Sequence, residues 1–376
     1  MILTLHGAVT PPSRRHPASS ASLRSIDGAT QENFDQRQSG CTMRAVIIPE
    51  WGGPEVLETI DTEVPAMGAD QIRVRIRAFG INRAEVLHRR GLYPTPGHDY
   101  KRRRRIDAEK DIPGLEFAGE IDAVGDEVEG QTVGDRVMGV VAGGSYAEYL
   151  VTAATHAMPI PEDLPFVQAA TIPEVFITAY DALERLHVTG GEWVLVHAIG
   201  SGVGTAAVQL VVARGARCLG TSRTPSKLER AAALGMEAGI DTTADELAPA
   251  VHRITEHGAN AAIDLVGGPM FASTLEAMAS RGRVIVVGLT AGRRADVDLG
   301  VVLQKRLRIE GTVLRSRSQA EKTDLTRSFR EAVLPLFLEK RLRVVLDRVF
   351  AFDEIKDAHA YMESNASFGK IVVEFR

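Results

Sequence analysis

The sequence predicts an α/β protein in which a doubly wound parallel sheet is inserted into a β-rich domain. From about residue 167 to residue 313, short apolar runs alternate with helical periodicity, which is typical of a parallel sheet. Strand-like runs separated by glycine turns dominate residues 43–166, and strand patterns return after residue 314. The chain has 376 residues, enough for two domains. We expect one domain at 43–166 with 314–376, and the other at 167–313.

The first 42 residues differ from the rest in composition. They are rich in Ser, Pro and Arg, and no acidic residue precedes Asp27. This composition predicts a disordered leader, or a start codon assigned too far upstream, with Met43 as the true first residue. A mitochondrial transit peptide is the alternative, because such peptides are rich in Arg and Ser and poor in acids.

The β-rich part begins at Met43–Ile47. In Gln71–Ala78 apolar residues alternate with arginines, which predicts a strand with one buried face. Three further strands are predicted at Gly119–Val124, Arg136–Val141 and Ala147–Val151. The insert His98–Lys110 interrupts this pattern with four consecutive arginines, and we expect a solvated loop there. Attraction of an anionic cofactor or of nucleic acid is the alternative for this insert.

Strands and helices alternate in the second part of the chain. The predicted strands are Val194–His197, Arg217–Thr221, Ile263–Val266, Val284–Gly288 and Leu307–Val313. Two last strands, Leu346–Phe350 and Lys370–Phe375, flank a helix predicted at Asp353–Glu363. We expect these strands to return to the first domain, so that both ends of the chain build it.

A glycine-rich turn follows the first strand of the second part. The small residues Ala198–Gly204 lie between this strand and a run of apolar residues at helical spacing. Such a turn lets the backbone approach a pyrophosphate, and the helix N-terminus supplies free N–H groups. The predicted contacts are Ser201, Gly202, Val203 and Gly204. Their spacing, G-x-G-x-G, departs from G-x-G-x-x-G, so a purely structural turn is the alternative.

Composition narrows the classes of function. Forty-nine acidic and 44 basic residues give a net charge of −5, so we expect no general attraction to nucleic acid or to an anionic membrane. The two cysteines, Cys41 and Cys218, form no disulfide framework, which favours a reducing compartment, and we expect a cytoplasmic protein. No apolar run reaches the roughly 18 residues that span a membrane.

Short motifs along residues 43–376 carry a family resemblance. They are Gly52–Leu57, Gly80–Glu85, Gly91–Pro94, Ile112–Gly119, Gly134–Val137, Ile172–Val175, Thr178–Tyr180 and Gly369–Val372. Together they resemble the zinc-free quinone oxidoreductases of the medium-chain dehydrogenase/reductase superfamily, the group that includes zeta-crystallin. Within this group, three stretches are most similar to a branch of vertebrate quinone reductases induced by a tumour suppressor: His197-Ala198, Ser201–Ala207 and Leu314–Arg317. The resemblance implies a GroES-like β-rich catalytic domain, an inserted Rossmann domain and a homodimer.

The resemblance also implies that the protein holds no metal. Zinc-dependent relatives carry a Cys where this chain has Asn82, a His where it has Leu115, and a Cys near Glu174. Zinc requires Cys, His or carboxylate ligands in a tetrahedral array, and two cysteines are too few for a four-cysteine structural site. We therefore expect no metal site.

Without a metal, the chemistry narrows to substrates that become stable anions. Alcohol oxidation needs a Lewis acid to remove a proton of high pKa. Hydride addition to a quinone instead yields an aromatic oxyanion, comparable to a tyrosine phenolate of pKa roughly 10. Addition to an enone gives an enolate that hydrogen bonds can hold. We predict a metal-free quinone oxidoreductase. The alternatives are an enone or enoyl-thioester reductase and a non-catalytic RNA-binding protein, the latter supported only by Arg102–Arg105.

The end of the second Rossmann strand indicates the cofactor. An NAD enzyme would place Asp or Glu there to bind the ribose 2′-hydroxyl. This chain has Ser222 and Arg223 at that point and Lys227 shortly after. Two cations can pair with a 2′-phosphate, so we predict NADPH, with an ordinary exposed lysine as the alternative for Lys227.

Further roles come from the resemblance alone. Asn82 and Thr178 would line the nicotinamide end, and Tyr93 would project into the substrate cleft, where it could stack on a flat ring or donate a hydrogen bond. A packing tyrosine is the alternative for Tyr93. The catalytic residues so implied are Asn82 and Tyr93. The remaining cofactor contacts so implied are Gly288 and Leu289 at the end of a strand, Arg315 and Ser316 near the cleft, and Lys370 near a phosphate.

Overall fold

The computed structural model describes residues 42–93 and 111–376. The leader predicted over 1–42, apart from Thr42, and the whole insert His98–Lys110 lie outside the described residues. The strands are β1 Thr42–Ile47, β2 Glu58–Glu63, β3 Gln71–Ile81, β4 Glu116–Val124, β5 Arg136–Val140, β6 Tyr149–Ala153, β7 Ala157–Pro159, β8 Trp193–Val196, β9 Arg217–Ser222, β10 Ala238–Asp241, β11 Ala259–Asp264, β12 Met278–Val286, β13 Arg308–Gly311, β14 Leu346–Ala351 and β15 Lys370–Glu374. The α-helices are α1 Arg83–Arg89, α2 Phe166–Ala169, α3 Pro173–Arg185, α4 Gly202–Ala213, α5 Pro225–Ala232, α6 Leu247–Thr255, α7 Met270–Ala277, α8 Leu299–Lys305, α9 Gln319–Ala332, α10 Leu334–Leu338 and α11 Ile355–Glu363.

The six strands β8–β13 form a parallel sheet in the order β10-β9-β8-β11-β12-β13. Counted from its own first strand this order is 3-2-1-4-5-6, the doubly wound arrangement of Rossmann domains. Ligands of such sheets bind at the carboxyl ends of the strands where the order reverses, which here lies between β8 and β11. The glycine-rich turn follows β8 at this point.

The second large sheet is built from both ends of the chain. Its order is β14-β15-β3-β4-β5-β7, with β6 also paired to β3. The pair β14 and β15 is parallel, whereas β15 pairs with β3 antiparallel, so the last strand of the chain completes a sheet that the first third begins. The predicted α/β fold, a GroES-like domain with an inserted Rossmann sheet, is confirmed.

The strand predictions failed where apolar alternation is weak. Strand β2 reads ETIDTE and is largely exposed, and β10 reads AGID, so neither carries the pattern of a buried strand. Strand β11 runs over Ala259–Asp264 rather than Ile263–Val266, because its first half is built from alanines and one asparagine. Small residues fit a strand covered on both faces but give no apolar run.

One hydrophobic core joins the two sheets. Its buried members include Ala118 and Met138 from the mixed sheet, Val196 and Ile263 from the parallel sheet, and Ile177 from α3. Helix α3 therefore lies between the sheets, and its first turn reaches the edge where the glycine-rich turn begins. Residues from Thr42 onward form one compact unit.

Candidate active site

The glycine-rich turn between β8 and α4 is shaped for close backbone packing. The Ser201 side chain caps α4 by accepting a hydrogen bond from the Gly204 N–H at 3.0 Å. A Cβ at Gly204 would lie 2.6 Å from the carbonyl oxygens of Ala198 and Ile199, so only glycine lets the helix approach the strand. The N–H groups of Gly202 and Val203 form no hydrogen bond within the described residues. These donors, at a helix N-terminus, fit the pyrophosphate of a dinucleotide.

A group of cations lies beyond the end of β9. The Ser222 hydroxyl accepts a hydrogen bond from the Thr224 N–H at 3.0 Å, and Arg223 is exposed and forms no ion pair with the described residues. Lys227 packs its stem against Gly200 and donates to the Asn365 carbonyl at 2.6 Å. Burial lowers the pKa of Lys227, and the nearby charges of Arg230, Arg223 and Arg83 lower it further, against Asp347, which raises it. A phosphate group fits this local excess of positive charge.

A buried polar cluster lies where β3, β4 and β15 meet. Glu116 is fully buried, and its Oε1 accepts hydrogen bonds from Lys370 Nζ at 2.5 Å and from Asn82 Nδ2 at 3.0 Å. Lys370 Nζ also donates to Asn82 Oδ1 at 2.6 Å and to the Ile81 carbonyl at 3.0 Å. Both the nitrogen and the oxygen of the Asn82 side-chain amide are thus hydrogen-bonded. Lys370 thus directs its ammonium group to this carboxylate, and its expected place near a cofactor phosphate stays a prediction.

Glu85 extends the cluster from the first turn of α1. Its carboxyl accepts hydrogen bonds from the Asn82 N–H and, at 3.0 Å, from the Leu115 N–H. Burial raises the pKa of Glu85 to about 7, against the opposing charge of Lys370. Asn82 and Glu85 form a capping box for α1, so helix capping and the cluster share the same side chains.

Glu174 belongs to the same region and lies in the first turn of α3. Its N–H donates to Glu116 Oε2 at 2.9 Å. Burial raises the pKa of Glu174 to about 8, and the charges of Glu116 and Glu85 act in the same direction. Thr178 lies one turn further along α3, on the same helix face.

The glycine-rich turn and the polar cluster are neighbours. A Cβ at Gly202 would lie 2.9 Å from Lys370 Cδ and 2.9 Å from Val175 Cγ1. A backbone bridge joins Ser201 to Gly369, the residue before β15. The structure thus brings together five predicted residues or groups of residues: Ser201–Gly204, Asn82, Thr178, Lys370 and Lys227.

Gly288 and Leu289 follow β12, at the carboxyl edge of the parallel sheet. The Gly288 N–H donates to the Asp264 carbonyl at 3.1 Å, and a Cβ at Gly267 would lie 2.8 Å from Leu289 Cδ2. Both residues therefore lie beside the end of β11, on the ligand-binding edge of such a sheet.

Tyr93 and Arg315 form a separate group. The Arg315 guanidinium lies 5.2 Å from the centre of the Tyr93 ring and donates to the Ala142 carbonyl at 2.8 Å. It also contacts His88 Nδ1 at 3.1 Å, and His88 Nε2 lies 3.0 Å from Asp111. Because an arginine only donates, Nδ1 accepts and the ring proton on Nε2 points to Asp111. Arg315 is therefore engaged with the residues around Tyr93, while Ser316 is exposed.

Comparison with known proteins identifies the family. The chain is 31% identical over 333 residues to a quinone oxidoreductase of Pseudomonas aeruginosa, which covers 86% of this chain and 97% of that protein. The alcohol dehydrogenase GroES-like domain matches residues 68–162, and the zinc-binding dehydrogenase family matches residues 202–331. The chain belongs to the medium-chain dehydrogenase/reductase superfamily. It is an oxidoreductase of this superfamily.

Two solved structures of the superfamily have the same fold. The CurK enoyl reductase is 25% identical with a TM-score of 0.78, over 89% of this chain and 99% of that one. A mycobacterial protein in complex with NADPH is also 25% identical with a TM-score of 0.78, over 88% of this chain and 99% of that one.

The described residues hold neither a metal-binding cluster nor a membrane-spanning helix. No group of three or more His, Cys, Asp or Glu side chains in 42–93 and 111–376 is arranged to hold a metal ion. No helix in the same ranges is both long and apolar enough to cross a lipid bilayer. The metal-free site stays a prediction that rests on the side chains at Asn82, Leu115 and Glu174.

The sequence analysis missed the acidic members of the site. Glu85, Glu116 and Glu174 each end or interrupt a motif of small or apolar residues, namely GINRAE, GLEFAG and IPEV. An acid in such surroundings is a signal of a buried carboxyl group, because charged residues are rarely buried without a partner. Nothing in the spacing shows that the three meet, since Glu116 lies 31 positions after Glu85 and Glu174 lies 58 positions after Glu116.

Proposed function

We propose that this oxidoreductase is an NADPH-dependent, metal-free reductase of quinones. The observation that carries the proposal is the contact between two groups of residues. The free N–H groups of the glycine-rich turn, which fit a pyrophosphate, adjoin the buried cluster of Asn82, Glu116 and Lys370. In that cluster an amide, a carboxylate and an ammonium satisfy one another by hydrogen bonds, which leaves no set of side chains typical of a zinc site.

The cofactor choice rests on the cations after β9. Bound NADPH would supply a hydride from nicotinamide C4. Arg223 and Lys227 would hold the 2′-phosphate, Ser201–Gly204 the pyrophosphate, and Asn82 and Thr178 the nicotinamide end. The mycobacterial relative that was solved with NADPH supports this choice. Tyr93 would lie against the substrate ring, with Arg315 behind it.

The chemistry of a metal-free site favours quinones. The reduced substrate must carry its new negative charge without a Lewis acid. A reduced quinone can do so, because it is an aromatic oxyanion whose conjugate acid has a pKa of roughly 10. The Pseudomonas aeruginosa quinone oxidoreductase, 31% identical, supports this substrate class. The match to the CurK enoyl reductase favours one alternative, reduction of an enone or enoyl thioester in the same site.

Oxidation of NADPH by the purified chain tests the proposal. The chain is offered an ortho-quinone, an enone or no acceptor, each with and without a chelator, and NADH serves as the control cofactor. We expect NADPH-specific turnover of the quinone that the chelator does not change. Turnover of the enone alone would establish the alternative, and chelator-sensitive turnover would contradict the metal-free site.

We also propose a homodimer that forms through the edge of the parallel sheet. Strand β13 is an outer strand of that sheet. Beside it, Leu299 and Leu303 of α8 are 75% and 78% exposed, and Ile309 of β13 is 45% exposed. An open strand edge next to exposed large apolar side chains favours pairing with a second copy. The cytoplasmic location stays a prediction from cysteine usage.

A further inference from the structure

Glu174 is a half-buried carboxyl group to which the proposed function gives no role. Its backbone N–H is bound to Glu116, but its carboxyl group forms no hydrogen bond within the described residues. The neighbouring Val175 lies against Gly202 of the glycine-rich turn. The first turn of α3, which carries Glu174, therefore contacts both the glycine-rich turn and the Asn82 cluster.

The surroundings of Glu174 hold its carboxyl group in the neutral form. Burial is the largest cause, and it raises the pKa to about 8. A helix N-terminus would favour the anion, but this effect is outweighed here. The charged groups that face Glu174 are Glu116 from β4, Glu85 from α1, Lys370 from β15, Lys322 from α9 and Arg315 from the segment before α9.

The other two carboxyl groups of the cluster are already engaged. Glu116 accepts three hydrogen bonds, from Lys370, Asn82 and the Glu174 N–H. Glu85 is 1% exposed and accepts from the N–H groups of Asn82 and Leu115. Of the three, Glu174 combines a carboxyl group free of hydrogen bonds with partial exposure.

We propose that Glu174 is the proton donor of the reaction and delivers its carboxyl proton to the oxygen of the reduced substrate. This inference rests on the proposed function. The hydride adds two electrons and a hydrogen to the substrate, and the electron pair of the acceptor double bond moves onto oxygen. An O–H bond then forms at that oxygen as the O–H bond of Glu174 breaks. The resulting carboxylate regains a proton from water.

The substitution Glu174→Gln tests the donor directly. An amide has the shape of the protonated carboxyl group but no acidic proton, so we expect kcat to fall by about 100-fold, the lower end of general acid catalysis. NADPH affinity, measured by fluorescence titration, should not change. The activity of the unaltered protein should fall above pH about 8, where Glu174 loses its proton. The residual activity of Glu174→Gln should not fall in this pH range. Glu184→Gln, at an exposed position of the same helix, is the matched control and should retain activity.

A second readout does not depend on turnover. The pKa of Glu174 rises from 4.5 to about 8 in the folded protein. Between these values the folded state binds more protons than the unfolded state, so the free energy of unfolding falls as pH rises. The melting temperature of Glu174→Gln relative to the unaltered protein should therefore increase from pH about 5 to pH 8, then level off. Glu184→Gln should show no such trend.

The outcomes separate the two proposals. An unaltered chain that turns over neither quinones nor enones would refute the proposed function and the donor role with it. If Glu174→Gln keeps the turnover of the unaltered protein and still loses activity at alkaline pH, the donor role alone is refuted. A melting-temperature difference that does not vary with pH would show that the carboxyl group is not held neutral, which also overturns the donor role.

Discussion

Arg223 is the residue that we propose distinguishes NADPH from NADH. It is exposed at the end of β9 and forms no ion pair with the described residues, while Lys227 beside it already donates to the Asn365 carbonyl. A cation without a protein partner has its full charge available for a ligand. The 2′-phosphate is the group by which NADPH differs from NADH, so this one position should carry much of the preference.

We expect Arg223→Ala to weaken NADPH binding by about 10- to 100-fold, because a charged hydrogen bond contributes about 1.5–3 kcal/mol. NADH binding should be unchanged, since NADH lacks the 2′-phosphate that Arg223 is proposed to bind. Fluorescence titration of both cofactors measures the effect. Arg327→Ala removes an exposed arginine of α9 and is the matched control. Equal losses for the two cofactors would contradict the assignment.

The sequence could predict the part of the site that a local turn defines, and it could not predict the contacts that distant segments make. Ser201–Gly204 could be predicted because strand, turn and helix are contiguous in the sequence. Lys370 could not, because its ammonium group contacts Glu116, 254 positions away, and no local pattern encodes that contact. The role expected of Lys370 came from the family resemblance, which gives the residue type at this position but not its contact with Glu116.

At the scale of elements, the contact between α4 and β8 depends on Gly204. We expect Gly204→Ala to lower the free energy of unfolding by about 1–3 kcal/mol, because its Cβ would lie 2.6 Å from two carbonyl oxygens and force the helix away from the strand. NADPH affinity should fall as well, since the free N–H groups move with the helix. Denaturant unfolding and cofactor titration measure the two effects.

Gly311→Ala is the matched control for this element. A Cβ at Gly311 has no neighbour nearer than the Val286 carbonyl oxygen, at 4.0 Å. We expect a change in stability within roughly 0.5 kcal/mol, as for surface substitutions in general. A loss at Gly204 no larger than at Gly311 would mean that the turn has room for a side chain.

The element order could be predicted from periodicity, but two kinds of strand could not. Exposed β2 and short β10 each carry a single isoleucine among polar or small residues, so their pairing partners rather than their own sequences determine them. In both cases the strand is defined by its pairing with a neighbouring strand, which the local sequence pattern does not reveal. The alternation of strands and helices after residue 167 was enough for the topology, because a parallel sheet needs a crossover between its strands.

At the scale of the whole molecule, we expect Leu303→Glu to convert a dimer into a monomer. The added charge would have to be buried against the apolar surface of a second copy, without a partner to compensate it. Light scattering after size-exclusion chromatography measures the mass. Leu338→Glu alters an equally apolar and 67% exposed position on α10, away from this edge, and should leave the dimer intact. A monomeric unaltered chain would contradict the interface.

The shared sheet also constrains the order in which the chain can fold during synthesis. The parallel sheet is continuous from Trp193 to Gly311, so it can form while later residues are still inside the ribosome. The mixed sheet cannot be completed until β14 and β15 have emerged, and until then Glu116 lacks Lys370. The strands of the first third of the chain therefore stay incompletely paired while the parallel sheet is already folded, and Glu116 has no ion-pair partner during this time. A nascent chain arrested before residue 370 would be a natural target for chaperones.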